Sequence, residues 1–473
     1  MWPFSRRETW ALVPVVMSMV ACSFIPPLPK LGDEAGTTFK RTSTSASASA
    51  AASTSRSVPS TPGTAEKWTV LNDPVLDRLH TQLLQGNLSL ATASVQVRRA
   101  QAALATAQAS LWPSVNLNTG VTRSANQLGA APGTSYSLSA PVSWEVQLWG
   151  RVDALSTVAR SGLQASQEDL VAARLSLQAT LVSTYVGLRT AERQEHVLRQ
   201  AEAAQQRSLD LTQARYRAGV VPATDVAQAQ SQWESTQAQR IEVGTQRAQL
   251  ENALAVLLGQ APSALQIDPL PSEAVWPPVV SDLPTLVPGD LIQRRPDIRA
   301  AQQRVVAANA QIGVARAAFF PTVNFSANAG YRNPELGSLI STASRAWSLG
   351  PSMAFSVFDG GQRRAAQADA EAALEQATLA YRQVVLTAFQ EVEDNLVAAS
   401  QLQDQAQALQ ESWQAAQRNL SLTQEQYKAG TVSYLNVAQA QTSALTAQRS
   451  WLDVQSRRVL ALNVLMKNLA GAY

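Results

Sequence analysis

The sequence predicts a mostly α-helical chain that also supplies four strands to a membrane β-barrel and is built as an internal two-fold repeat. Three observations predict this fold class. Two long intervals without proline are typical of helix, four segments alternate apolar and polar residues, and a set of short motifs occurs twice. The 473 residues suffice for one large domain or for two to three ordinary ones.

Composition excludes several classes of protein. The formal net charge is +3 and the basic residues are scattered, so neither nucleic-acid binding nor a basic membrane patch is indicated. The chain has one cysteine, Cys22, and two histidines, so it can form no internal disulfide and no Cys/His metal cluster. We therefore expect no metal and no cofactor, and a metalloenzyme or cysteine-based enzyme is nearly excluded. A carboxylate-based or serine-based enzyme is not excluded by this count.

The N-terminus has the pattern of a lipoprotein signal. Arg6 and Arg7 precede the apolar stretch Ala11–Val20, which is about half as long as the ~20 residues that a membrane-spanning helix needs. A small residue and Cys22 follow, which predicts a signal peptide over 1–21 and acylation of Cys22. A plain secretory signal is the alternative, and the paired arginines leave twin-arginine export open beside ordinary secretion.

The next segment is rich in Ser, Thr and Ala, with few apolar side chains that could form a core. We expect residues 22–67 to be an acylated N-terminus followed by a flexible linker, with the folded body starting near Trp68.

The chain contains two copies of one plan. The motif Tyr216–Gly219 is followed by Asp225–Gln230, and the same pattern recurs at Tyr427–Gly430 and Asn436–Gln441 with the same internal spacing. This predicts two repeats, residues 68–259 and 291–473, joined by the Pro-rich segment 260–290.

Each repeat contains two candidate strands, at about 113–122 and 135–148 in the first and about 321–331 and 346–358 in the second. Apolar residues alternate with polar ones, as in a barrel strand with one face toward lipid. A half-buried soluble sheet would give the same alternation, but the strand length, the aromatic content and the export signal favour a membrane. Four strands cannot close a barrel, and open sheet edges are costly in lipid, so several chains must share one barrel.

The helices set a length. The intervals from Gly150 to Gly219 and from Gly361 to Gly430 contain no proline, and each corresponds to roughly 100 Å of helix. Shorter helices are predicted before and after them, over Leu76–Leu111, Pro222–Leu258, Pro296–Phe319 and Tyr434–Leu469.

The motif Leu291–Ala301 contains Arg294, Arg295, Pro296 and Asp297, and three further motifs accompany it at Trp144–Arg151, Phe358–Arg364 and Ala388–Leu396. With these motifs the chain resembles, from about residue 68 to its end, the TolC-like outer membrane factors, in the efflux-lipoprotein (NodT/OprM) branch. The Arg-Pro-Asp sequence also has a local explanation as a helix start, with Pro296 at the first position and Asp297 in the first turn.

The resemblance implies a homotrimer with a helical tunnel in the periplasm and a 12-stranded β-barrel in the outer membrane, with four strands from each chain. It implies a passive duct for small molecules such as drugs, with no chemistry of its own. The implied partners are a periplasmic membrane fusion (adaptor) protein, an inner-membrane transporter of the resistance-nodulation-division (RND) type, and outer-membrane lipid. The alternatives are a duct for type I protein secretion, a structural coiled-coil lipoprotein, and an enzyme that uses carboxylates such as Glu391.

The resemblance also implies that two helix-turn-helix tips, Arg215–Asp225 and Gln426–Asn436, face the adaptor and close the tunnel. The gate and adaptor-contact residues carried over by position are Gly219, Asp225, Gln228, Gly430, Asn436 and Gln439. Some relatives have acidic residues where this chain has Asn436 and Gln439. We therefore expect an amide-lined gate that is held mainly by helix packing, without a ring of carboxylates from the second copy.

Overall fold

The computed structural model describes residues 24–29, 73–125, 131–271, 276 and 294–469. Cys22, the predicted signal peptide and most of the two linkers lie outside these residues. The chain forms two compact units. Of the described residues, the first unit holds 24–29, 102–125, 131–161 and 305–376, and the second holds the others.

Helices make up most of the described chain. Those of more than three residues in this part are α1 (Pro74–Gly86), α2 (Leu88–Ala109), α3 (Arg151–Arg217), α4 (Ala223–Leu257), α5 (Pro296–Ala317), α6 (Gln362–Lys428) and α7 (Tyr434–Asn468). The long helices α3 and α6 each have 67 residues, as the two glycine-bounded intervals predict. None of the helices in the described ranges combines the length and the apolar character that crossing a bilayer requires.

The first predicted helix, Leu76–Leu111, is in fact two helices that meet at Asn87. The Asn87 carboxamide oxygen accepts a hydrogen bond from the Leu90 N–H (2.9 Å), which makes Asn87 the N-cap of α2. Its amide group donates to the Leu257 carbonyl (2.6 Å). The break therefore depends on a contact with a residue distant in sequence, which local periodicity does not reveal.

The strands are β1 (Ser114–Val115), β2 (Asn118–Ser124), β3 (Gly133–Glu145), β4 (Thr322–Asn333) and β5 (Arg345–Ala354). They form one antiparallel sheet in which β1 and β2 both pair with β3, β3 pairs with β4, and β4 pairs with β5. The first predicted strand is thus interrupted between Val115 and Asn118. The predicted second and fourth strands extend past the observed ends at Glu145 and Ala354.

The register gives the sheet one apolar and one polar face. Directly paired residues of an antiparallel sheet lie on the same face. Ala140 pairs with Ala329, which pairs with Trp347, and the next two rows toward Trp144, Val142–Ala327–Leu349 and Trp144–Phe325–Pro351, are also apolar. On the other face, Ser139 pairs with Gly330, and serine and asparagine dominate the remaining rows. Trp347 is 79% exposed on its apolar face, so within one chain this face is uncovered.

The segment 24–29 packs in the first unit. The Phe24 ring stacks on Phe320 with centroids 4.7 Å apart, and Trp149 stacks on the same ring at 4.9 Å. The Asn309 side chain donates to the Pro26 carbonyl (2.7 Å). Ordered contacts therefore begin well before Trp68, where the sequence predicted the folded body to start.

In the second unit, a buried charge network attaches the start of the inter-repeat segment to α3 and α4. Arg189 donates to Glu192 (2.8 Å) and to the Asp268 carbonyl (2.8 Å). Arg247 donates to the same Glu192 (3.0 Å) and to the Ile267 carbonyl (2.9 Å). Arg189 is 3% exposed, and burial of such charges is tolerated only when each is paired and hydrogen-bonded.

Replacement of Glu192 tests this network. Glu192→Ala leaves two guanidinium groups without their shared carboxylate, and we expect a loss of about 3–5 kcal/mol in the free energy of unfolding. Thermal unfolding followed by circular dichroism measures the loss, and limited proteolysis at 262–271 reports release of the segment. The matched control is Glu195→Ala, on the same helix, whose partner Arg199 is 64% exposed. The control should lose no more than about 1 kcal/mol; equal losses in both variants would contradict the prediction.

Candidate functional site

Two turns of the same design end the long helices α3 and α6 in the second unit. We call Arg215–Asp225 tip 1 and Gln426–Asn436 tip 2. Gly219 and Gly430 have φ angles of 71° and 79°, a left-handed conformation that is costly for residues with a Cβ atom. The glycine N–H groups donate to residues three back in the chain, Tyr216 and Tyr427, at 2.9 and 3.0 Å.

The residue after each glycine completes the turn. The Val220 N–H donates to the Arg215 carbonyl (2.9 Å), and the Thr431 N–H donates to the Gln426 carbonyl (3.0 Å). Together with the glycine bonds, this is the Schellman arrangement that satisfies the last carbonyls of a helix. The equal spacing of the two sequence motifs therefore corresponds to two equivalent backbone turns.

One side chain connects the two tips. Arg215 of tip 1 donates from Nη1 to the Tyr427 carbonyl and from Nη2 to the Lys428 carbonyl, both at 2.9 Å. Its guanidinium carbon lies 4.7 Å from the centroid of the Tyr427 ring. These carbonyls lie in the last turn of α6, where the helix dipole is negative and a cation is favourable. Arg215 thus caps the end of a helix that belongs to the other repeat.

A buried cluster supports this contact. Its core residues are Leu209, Ala229, Tyr427, Tyr434, Val437 and Ala438. The rings of Tyr427 and Tyr434 meet edge to face with centroids 5.7 Å apart. The counterpart of Tyr427 in tip 1 is Tyr216, which is 49% exposed. The two tips therefore have the same backbone turn, but the tyrosine is buried in tip 2 and exposed in tip 1.

Tyr434 is fully enclosed in the cluster, with 0% of its surface exposed. Its hydroxyl group has no hydrogen-bond partner within the described part of the chain. Burial is the main reason why the pKa of Tyr434 is raised from 10 to about 12, and the neighbouring Tyr427 and Asp225 add to the effect. The hydroxyl therefore stays neutral at physiological pH.

The remaining residues proposed from the sequence lie around this cluster. Asp225 is half-buried in the first turn of α4, whereas Gln228, Asn436 and Gln439 are exposed. No side-chain hydrogen bond joins these four in the ranges that the structure describes. The two glycines, Asp225 and Asn436 thus lie in the tips, whereas Gln228 and Gln439 lie three residues beyond them, in α4 and α7. Arg215, which connects the tips, and the clustered Tyr427 and Tyr434 were not singled out as site residues from the sequence.

The Arg-Pro-Asp motif lies at the start of α5, away from the tips, and its charged side chains pair with α6. Arg295, 7% exposed, forms two hydrogen bonds with Asp297 (3.1 and 2.7 Å) and one with Glu391 of α6 (3.0 Å). Burial alone would raise the pKa of Asp297, but the hydrogen bonds and charge of Arg295 outweigh it and lower that pKa. Pro296 starts α5. Glu391 lies roughly 55 Å along the helix from the C-terminal end of α6, so the motif fastens a helix start and is not part of the tips.

Comparisons with known proteins identify the family. Residues 79–260 and 287–471 match the family described as "Outer membrane efflux protein". The chain is 32% identical to the outer membrane protein OprJ of Pseudomonas aeruginosa over 409 residues, which are 85% of each protein. It is 28% identical to the probable outer membrane lipoprotein SilC of Salmonella typhimurium over 403 residues, 85% of this chain and 87% of SilC. The solved structure of the outer-membrane channel OprN superposes with a TM-score of 0.82 at 28% identity, covering 95% of this chain and 99% of that one.

Each of the two matched stretches covers most of one sequence repeat and includes one of the tips. They confirm the resemblance to TolC-like outer membrane factors and the mostly helical fold class with its strands. The chain belongs to the outer membrane efflux protein family.

Proposed function

We propose that tips 1 and 2 are the periplasmic gate and adaptor contact of this outer-membrane efflux channel, and that Arg215 is the residue that holds the gate closed. The observation that carries the proposal is the pair of hydrogen bonds from Arg215 to the end of α6. The chain acts as one subunit of a homotrimeric duct. An inner-membrane RND-type transporter delivers small molecules to it through a periplasmic adaptor protein.

Closure in this proposal comes from packing and capping, because the exposed residues Asn436 and Gln439 carry no charge. Each helix that meets at the tips belongs to a hairpin, so displacement of α6 from tip 1 moves its partner α7 as well. Loss of the Arg215 contacts exposes two helix-end carbonyls, which water can solvate. The contact is therefore strong enough to bias the closed arrangement and weak enough to be broken by a partner that binds the tips.

The duct performs no chemistry in this proposal. The enzyme alternative relied on carboxylates such as Glu391, and Arg295, just before α5, donates a hydrogen bond to that side chain. A carboxylate that balances a buried guanidinium is committed to structure and is a poor candidate for proton transfer.

The proposal places the lipid anchor at Cys22. Only Ser23 separates Cys22 from Phe24 in the sequence, so an anchor at Cys22 directly precedes the point where the chain packs. Phe24 stacks on Phe320 beside Trp149, just before β4 begins. Aromatic residues concentrate at membrane interfaces, so this stack is a suitable level for acyl chains to enter the membrane.

Substitution of Arg215 tests the gate. Arg215→Ala removes two charge-assisted hydrogen bonds, each worth about 1.5–3 kcal/mol. We expect the open probability of the trimer to rise about tenfold or more in single-channel recordings from planar bilayers. The matched control is Arg217→Ala, which removes an exposed arginine two residues away. Equal conductance of Arg215→Ala and wild type would show that this contact does not hold the gate.

The amide lining is tested separately at the same tips. Asn436→Ala and Gln439→Ala shorten exposed side chains without disturbing the buried cluster, so the trimer should stay assembled in native mass spectrometry. We expect a modest change in the conductance of the open channel, because amides at the constriction contact permeating water and solutes. Unchanged conductance in both variants would mean that these two residues do not line the gate.

The buried hydroxyl of Tyr434 gives a prediction of stability. Tyr434→Phe keeps the ring and removes a buried polar group without a partner. We expect the free energy of unfolding to rise by up to about 1–3 kcal/mol, so the variant should unfold at no lower a temperature than wild type. The folded-state pKa of Tyr434, about 12, lies above the ordinary 10. Stability that depends on the neutral hydroxyl is therefore complete below pH 10 and is lost between pH 10 and 12.

Phenylalanine does not titrate, so the Tyr434→Phe variant should not lose stability between pH 10 and 12. The difference in unfolding temperature between this variant and wild type should therefore be larger at pH 11 than at pH 8. Tyr216→Phe, at the exposed counterpart, serves as the control and should follow wild type at both pH values. An advantage that stays constant with pH would contradict the assignment of a shifted pKa to Tyr434.

A further inference from the structure

The strands of the sheet carry three arginines, and all three lie near the end of the sheet that is remote from the helices. They are Arg123 of β2, Arg332 of β4 and Arg345 of β5. Among the five described strands the only carboxylate is Glu145, which lies at the other end and pairs with Arg151 (2.9 Å) at the start of α3. The helices of this outer-membrane channel lie in the periplasm, so the arginine end of the sheet reaches the outer leaflet.

The register places Arg345 on the apolar face, which meets lipid in an outer-membrane barrel. Directly paired residues share a face, and so do side chains two residues apart along a strand. Tyr331 pairs with Arg345 and lies two residues beyond Ala329, which belongs to the apolar rows. Arg345 is exposed and forms no ion pair with any residue that the structure describes. An unpaired charge therefore lies one row past Trp347, beside the apolar band.

The other two arginines lie on opposite faces of the sheet. Arg123 is on the apolar face, because Thr119, four residues earlier in β2, belongs to the same row as Tyr331. Arg332 follows Tyr331 in β4 and is therefore on the polar face, toward the lumen. Lipid thus reaches Arg123 and Arg345 but not Arg332. The sequence indicated no basic patch at the membrane, because these residues are far apart in the chain and only the fold brings them to one end.

The height of the sheet puts Arg345 at the level of the lipid head groups. From Phe320 to Tyr331 the chain advances eleven residues, which in a strand tilted by about 40° corresponds to roughly 28 Å of height. The apolar band of such barrels is about 25 Å tall and has aromatic residues at both borders. The stack of Phe320 with Trp149 fits the inner border. Tyr331 and Tyr136, on the same face, fit the outer border.

From this placement we propose that Arg345, together with Arg123 of the neighbouring copy, binds the phosphate groups of a lipid in the outer leaflet. When the trimer closes its barrel, the free edge of β5 in one copy meets the free edge of β2 in the next, so both arginines border one junction on the lipid face. A guanidinium group donates two parallel hydrogen bonds to a phosphate. β2 and β5 contain no carboxylate that could neutralise the arginines instead.

The neighbouring apolar rows select a lipid over a free anion. Trp347 is 79% exposed and Leu349 is 62% exposed, and both continue the face from Arg345 toward the middle of the membrane. A lipid whose phosphate binds Arg345 can lay its acyl chains along these side chains, whereas a free phosphate gains nothing from them. The expected ligand is therefore an acylated lipid with exposed phosphate groups, of which lipid A is an example. This site and the gate share no residue.

The test uses the detergent-purified full-length trimer and native mass spectrometry, which counts bound lipids and reports the trimer in the same spectrum. Lipid A is the probe. We expect Arg345→Gln to bind it about tenfold more weakly than wild type, because charge-assisted hydrogen bonds are lost, and Arg123→Gln should also bind more weakly. Arg345→Lys keeps the charge without the fork of donors, so its affinity should lie between those of Arg345→Gln and wild type. Arg332→Gln is the matched control on the opposite face and should bind as wild type does.

Two further measurements separate the sources of binding. Lipid A with both phosphate groups removed has the same acylated body, and equal binding of the two lipids by wild type overturns the proposal without recourse to any variant. Binding should persist in EDTA and in a millimolar excess of inorganic phosphate. Loss in EDTA would show a bridging metal ion, and displacement by phosphate would show a site for free anions. Either result overturns the proposal, as does Arg345→Gln that binds like wild type or Arg332→Gln that is equally weakened.

Discussion

The two outer edges of the sheet are the constraint on which the assembly depends. Among the strands that the structure describes, β3 and β4 are paired on both sides, while β1–β2 and β5 are each paired on one side only. A strand edge presents a row of backbone donors and acceptors, and lipid can satisfy none of them. The chain can therefore occupy a membrane only when other copies complete its hydrogen bonds. When several chains complete one sheet, their helices are also held side by side. This arrangement allows the helices to form one duct.

The sequence predicted the features that depend on local rules. Glycines set the ends of α3 and α6, because the left-handed turns at Gly219 and Gly430 need a residue without a Cβ atom. Alternation of apolar and polar residues predicted the two faces of the sheet, because side chains of a strand point to opposite sides in turn. The mostly helical fold with strands and the family were both recognised from such patterns.

Features that depend on distant contacts were missed. The break at Asn87 is stabilised by the Leu257 carbonyl, 170 residues away in sequence. Docking of Phe24 depends on Phe320, and the importance of Arg215 depends on the end of a helix in the other repeat. In each case the side chain is unremarkable in its local sequence, and only the fold supplies its partner. Comparison of the two repeats could have drawn attention to Arg215, because the equivalent position in the second repeat is Gln426.

The two repeats have diverged in how they use polar groups. Tyr185, Arg189 and Glu192 belong to the buried network of the first copy. Their counterparts by motif spacing are Leu396, Ser400 and Gln403, which cannot form it. One copy therefore carries the charges that attach the inter-repeat segment, and the same copy supplies Arg215 to the tips. The two hairpins therefore share a backbone plan but carry different polar groups, and only the first has the charged residues of the network.

The contact of Arg215 with main-chain oxygen atoms has a genetic consequence. Every residue has a carbonyl group, so replacing the side chain of Tyr427 or Lys428 leaves both acceptors in place. A change at the Arg215 codon removes both hydrogen bonds, whereas a change of the exposed Lys428 side chain removes neither acceptor. Spontaneous variants that lose these bonds should therefore be found at Arg215 and not at Lys428.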